Sequence, residues 1–201
     1  MDSPIGPGTR TAPRPPRAPS PAGRPPAPRF FAPDEREFRT TLGHFCTGVA
    51  VITAQDDEPL GFTCQSLTAL SLTPPLVTFA AGNGSRSLPR IVRSGVFSAN
   101  VLASDQEALG RRFGSGQQEE RFSGVEWHPS PISGSPHLAD ALAWIDCRVH
   151  EALPGGDHTI VVGRVTGVAW GSGDPLLYFR SQFRHLAAPP NTATAPSAPA
   201  T

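Results

Sequence analysis

The residues best suited to chemistry in this 201-residue chain lie in one stretch and one outlying turn. The stretch is Gly61 to Ser87, GFTCQSLTALSLTPPLVTFAAGNGSRS. Its first half carries Thr63, Cys64, Gln65 and Ser66, whose side chains and backbone N–H groups can hydrogen-bond a planar heterocycle and a polyol chain. Its end carries Asn83, Ser85, Arg86 and Ser87, just ahead of a short helical run, Leu88 to Arg93, closed by Gly95. Hydroxyls, a guanidinium and a helix N-terminus together make an anion site fit for a phosphate. A phosphorylated, partly aromatic ligand is one reading of this stretch. The other is an ordinary strand–turn–strand followed by a helix that Ser87 caps. The outlying turn is Pro154-Gly155-Gly156-Asp157, with His158 directly after it. On its own, a histidine there reads as a surface or turn-bonding residue.

The pattern around these residues predicts what must hold them. Phe62, Cys64, Leu67, Leu70 and Leu72 are interleaved with polar residues, as in strand edges and a loop packed on a core. Pro74-Pro75 breaks that run, a strand follows over Leu76 to Ala81, and Gly82-Asn83-Gly84 is a turn. Upstream, Phe38, Leu42 and Phe45 fall on one helical face that should lie against a barrel or its mouth, and Gly48 to Ala54 is a β-branched strand. Downstream, Val96 to Leu102 is a strand, and Ser104 with Glu107 forms a capping box for a helix ending at Phe113-Gly114. Ser115 to Glu120 is a polar loop, and residues 121–137 read as a long, partly mobile connection. From Ala141 to Val149 the chain alternates, with Ala143, Ile145, Cys147 and Val149 on one side and Asp146, Arg148 and His150 on the other. Thr159 to Trp170 is a long return strand, and Pro175 to Phe179 closes the sheet. Many strands joined by Gly/Pro turns, with few short helices, predict a mainly-β barrel.

Composition narrows the function classes. Acidic and basic residues balance at 17 each, so no net field steers the chain to nucleic acid or to an anionic membrane. Every basic side chain is arginine, which excludes a lysine Schiff base and a Walker-type phosphate lysine. Cys46, Cys64 and Cys147 form no CxxC pair and read as buried or near-site thiols of a reducing compartment, the cytoplasm. The histidines show no metal-ligand spacing, and no apolar run is long enough to span a membrane. Residues 1–29 are rich in Pro, Arg, Ala, Gly and Ser, and residues 187–201 in Ala, Pro and Thr. Both read as disordered tails around one folded domain, residues 30–186, because such compositions cannot bury enough apolar surface to offset ordering.

Six blocks in order resemble the flavin reductase family, the small NAD(P)H:flavin oxidoreductases that accompany two-component monooxygenases. They are TGVAVITA (Thr47–Ala54), GFTCQSLTALSLTPPLV (Gly61–Val77), SRSLPRI (Ser85–Ile91), FSANVLASDQEALGRRF (Phe97–Phe113), GGDHTIVVGRV (Gly155–Val165) and PLLYFRSQFRHL (Pro175–Leu186). The resemblance implies a split β-barrel with a few short helices that forms a homodimer. It implies FMN or FAD as cofactor, NADH or NADPH as donor, and a separate monooxygenase that receives the reduced flavin. By match to the family, Thr63, Cys64, Gln65 and Ser66 line the flavin, and Asn83, Ser85, Arg86 and Ser87 take its phosphate. His158, in the family's Gly-Asp-His element, places the nicotinamide and is the candidate catalytic residue. The lack of a GxGxxG fingerprint agrees with a family that has no separate dinucleotide domain. A non-catalytic flavin-binding or electron-transfer module on the same barrel is the alternative, since fold alone does not set activity.

Overall fold

The computed structural model describes residues 30–115 and 120–187, so the expected tail at 1–29, all but Ala187 of the expected tail at 187–201 and most of the Ser115–Glu120 loop lie outside the described residues. By internal contacts the chain divides at Asp34 and Glu35. Of the first unit only residues 30–34 are described, without helix or strand; every element belongs to the second.

Strands β2 (Ala50–Gln55), β3 (Pro59–Cys64), β4 (Thr68–Leu72), β5 (Pro75–Gly82), β6 (Val96–Val101), β9 (Ala143–Gly155) and β10 (His158–Trp170) form one antiparallel sheet of seven, in the order β3-β2-β6-β9-β10-β5-β4. The edges of this sheet, β3 and β4, are consecutive in sequence and joined only by Gln65–Leu67. Four Cα steps, from Cys64 to Thr68, reach at most about 14 Å. The sheet therefore curls until its two edges nearly meet, a barrel left split along one seam.

Core packing follows the period-two alternation of β2. Ile52 and Ala54 enter the barrel interior with Leu60, Phe79, Phe97 and Val161. Val49 and Val51 point the other way, into a second cluster with Leu102, Phe113 and Leu138. That cluster is covered by helix α3 (Glu107–Gly114) and by the small hairpin of β7 (Trp127–Pro129) and β8 (Pro136–Leu138). Inside the barrel, a Cβ on Gly163 would collide with the Phe97 ring, so close approach of backbone to ring makes glycine necessary there.

Several expectations need correction. The connection at 121–137 carries that hairpin, and Ser130, Ser135 and His137 are buried. Along β9 both Asp146 and Cys147, on opposite sides, are buried, Asp146 because the 130–137 turn folds over it. Asp146 accepts from Ser130 Oγ at 2.7 Å and Ser133 Oγ at 2.7 Å, and lies 3.2 Å from His137 Nε2. Strand β11 (Leu177–Phe179) does not close the large sheet. It pairs with β1 (Thr47–Gly48) and β12 (Gln182–Arg184) in a separate sheet of three. Helix α1 (Glu35–Leu42) buries no residue, and its expected inner face, Phe38, Leu42 and Phe45, is exposed. Leu70 and Leu72 on edge strand β4 are exposed too, Leu72 at 88%. The Ser104–Glu107 capping box does not form: α3 starts after Gln106, which makes no cap bond and instead accepts from Ala103 N–H at 3.0 Å.

Candidate active site

Two cavities flank the seam. The first, about 480 Å³, is lined by the end of β3, the end of β5, the turn after it and the start of helix α2 (Ser87–Ser94), with Phe113, Gly114, Arg121 and His158 on the remaining walls. Thr63, Cys64, Gln65, Ser66, Ser85, Arg86, Ser87 and His158 thus share one cleft. Asn83 is the exception. Its Nδ2 reaches the Gly156 carbonyl at 3.3 Å, its Oδ1 accepts from Thr159 at 3.0 Å, and its N–H bonds Asp157 O at 2.9 Å. The Asn83 side chain ties the turn after β5 to the β9–β10 hairpin and so brings His158 to the cleft.

The second cavity, about 540 Å³, is more apolar, with Phe45 to Ala50 on one side and Val101 on another. Cys64, Gln65 and Ser66 line it as well, so the seam segment is a wall common to both.

Helix α2 aims its N-terminus at the first cleft because its other end is anchored. Leu88 and Ile91 are buried in the barrel core, and Gly95 terminates the helix at φ +72° with its N–H on Ile91 O. Arg90 bonds Asp56 at 2.9 Å and Glu58 at 3.0 Å, and Arg93 also pairs with Asp56, fixing the helix to the β2–β3 turn. Those guanidiniums, the Arg90 hydrogen bond foremost, hold the Asp56 carboxyl below its ordinary range. Ser87 opens the helix rather than capping it; the capping hydroxyl is Ser85, which accepts from Leu88 N–H at 3.3 Å. Arg86 stands exposed on the lip, its side chain in no ion pair or hydrogen bond among the described residues.

The other lining groups are partly committed. Thr63 donates to Gly110 O at 2.6 Å, which docks β3 on α3. Burial pushes the Cys64 thiol up, so it stays neutral. Cys147 is buried as expected, but Cys46 is exposed at the second cavity; all three cysteines are free. His158 Nδ1 lies 2.7 Å from Asp157 Oδ1, and this hydrogen bond holds the Asp157 carboxyl below its usual range. Phe113, Gly114 and Arg121 escape sequence reasoning, since a helix end and a loop arginine carry no local signal. Arg121 reaches the cleft because its Nη1 donates to Gly61 O at 2.7 Å.

Residues 42–187 match the flavin reductase like domain. The reductase subunit HsaB of a flavin-dependent monooxygenase from Rhodococcus jostii is 47% identical over 165 residues, covering 81% of this chain and 83% of that protein. Nitrilotriacetate monooxygenase component B from Mycobacterium thermoresistibile superposes with a TM-score of 0.73 at 41% identity, over 80% of this chain and 95% of the other. The NADH:FAD oxidoreductase SgcE6 of Streptomyces globisporus, in complex with NAD and FAD fragments, superposes with a TM-score of 0.76 at 32% identity, over 83% and 100%. Domain match, sequence identity over most of the chain and the split seven-stranded sheet converge: the chain belongs to the flavin reductase family.

Proposed function

We propose that this protein is an NAD(P)H:flavin oxidoreductase that reduces FMN, FAD or riboflavin and hands the reduced flavin to a separate monooxygenase. The observation that carries the reading is the pair of cavities with one common wall. A flavin is a planar, largely apolar ring joined through a polyol to a phosphate, and it needs an apolar slot beside a polar, cationic cleft. The second cavity supplies the first need. Arg86, Ser85, Ser87 and the α2 N-terminus supply the second. The donor set fits the group.

When bound, flavin and nicotinamide would supply the hydride-transfer chemistry, and the protein's share is placement. Arg86 and the two serines hold the phosphate, Gln65 offers a carboxamide to the polar edge of the ring, and Phe113 excludes water. His158, oriented by Asp157, presents its other nitrogen to the cleft and places the nicotinamide. The proposed domain spans residues 30–186 between two tails. A homodimer is proposed on the exposed apolar residues of strands β4 and β10, Leu72 and Trp170, which are 88% and 77% exposed. The free thiols support a cytoplasmic setting; among the described residues no helix is long and apolar enough to cross a membrane.

The direct test is nicotinamide oxidation with and without added flavin. Flavin-dependent loss of the nicotinamide absorbance is expected. A protein that binds flavin and leaves NADH and NADPH oxidation at the buffer rate is a binding module instead.

A further inference from the structure

Ser66 stands at the seam, where the register between β4 and β5 runs out. Thr68 is opposite Thr78 there, and two further pairs would set Ser66 opposite Ala80. The main-chain ladder does not continue. The Ser66 hydroxyl takes its place, accepting from Ala80 N–H at 2.9 Å and donating to Ala80 O at 3.1 Å. Ala80 also faces Ile160 of β10 across its other side, so its two polar groups on the β4 side have this hydroxyl as their partner. Cys64 Sγ lies 3.3 Å from the same oxygen. A hydroxyl owns one proton and two lone pairs. With the proton given to Ala80, the thiol is the donor in the Cys64 contact, and all three capacities are used inside the protein.

We propose that Ser66 is a positioning residue whose hydroxyl acts as a spacer across the seam, and not a ligand of the flavin. It holds Cys64–Leu67 one side chain away from β5 where main-chain pairing would draw the segment in and narrow the gap. The wall between the two cavities keeps its place by this bond. The proposal rests on the reading that a flavin occupies both cavities, and it moves the ligand role in this segment to Gln65 and the backbone.

The test compares Ser66→Ala and Ser66→Thr with the wild type in the full chain. Exchange of the Ala80 amide hydrogen, followed by NMR without flavin, should speed up about tenfold in S66A, the loss expected for about one hydrogen bond, and return to the wild-type rate in S66T. FMN and riboflavin should both bind about tenfold more weakly to S66A, with kcat at saturating flavin within about twofold of wild type and both affinities rescued in S66T. Weaker flavin binding with unchanged Ala80 exchange would overturn the spacer and make the hydroxyl a direct ligand. Faster exchange with unchanged flavin affinity would overturn the positioning role. If the wild type bound neither flavin, the occupancy reading would fail, and the positioning role with it, whatever the exchange rates showed.

Discussion

Asp157 and His158 are neighbours in sequence and bonded in space, Oδ1 of the first lying 2.7 Å from Nδ1 of the second. An ionised carboxylate only accepts, so Nδ1 carries the proton and Nε2 is left as the free nitrogen. A Cβ built on Gly82 would sit 3.9 Å from that Nε2, which places it at the end of β5 on the cleft wall. His158→Ala should therefore slow hydride transfer by up to about a hundredfold while flavin affinity hardly changes. Single-turnover reduction and flavin titration on the same preparation check this; a wild-type rate in a variant that merely melts earlier would leave His158 a turn residue.

Arg86 offers a cleaner probe of the phosphate than either serine, because its exposed side chain has no partner among the described residues. Ser87 is buried and Ser85 caps Leu88, so their replacement also disturbs the helix. Arg86→Ala should weaken FMN by about 10- to 100-fold, the value of one charge-assisted hydrogen bond, and leave riboflavin binding and melting temperature unchanged. Equal losses for both flavins would put the phosphate elsewhere.

Asp146 holds the turn over the outer face of β9 through Ser130, Ser133 and His137. Replacing it with alanine strands the buried Ser130 hydroxyl, the half-buried Ser133 hydroxyl and the buried His137 imidazole. The expected cost is about 3 kcal/mol, or a fall in Tm of roughly 6–12 °C for a domain of this size. Urea unfolding should show a lower midpoint at unchanged slope. A loss below about 0.5 kcal/mol would mean the turn is held by its apolar contacts alone.

Burial pushes the Cys147 thiol from its ordinary value of 9.0 up to about 12. The folded state then keeps a proton that the unfolded chain releases, so stability is full below about pH 9 and declines as pH rises from there toward 12. Cys147→Ala should flatten that alkaline slope, whatever it does to stability at neutral pH. In the native protein at pH 8, iodoacetamide should label exposed Cys46 and spare Cys64 and Cys147; mass spectrometry reads the sites.

Light scattering should give twice the chain mass at micromolar concentration. Leu72→Arg, on the exposed edge strand, should shift it toward the monomer without lowering helix or strand content. Unchanged mass would move the interface off β4.

Much of the local architecture was legible in the chain because it depends on neighbours in sequence. The strands at Leu76–Ala81, Val96–Leu102 and Thr159–Trp170 follow from β-branched runs between Gly/Pro turns, and β5, β6 and β10 lie there within a residue or two. The cleft residues Thr63–Ser66 and Ser85–Ser87 were legible together, since Gly61–Ser87 is one continuous segment and both of its ends reach the first cavity. What each side chain does was not. Whether Asp146 faces water depends on a turn sixteen to nine residues upstream folding over it, and alternation reports only the face. Arg121 enters the cleft through a bond to a carbonyl sixty residues away, which no local pattern encodes. Ser66 and Asn83 read alike as ligand-type polar residues, yet tertiary contacts use both to fasten backbone, one across the seam and one to the hairpin. Sequence types tell which groups can form hydrogen bonds; only the closed-up sheet decides which of those bonds the protein has already made with itself.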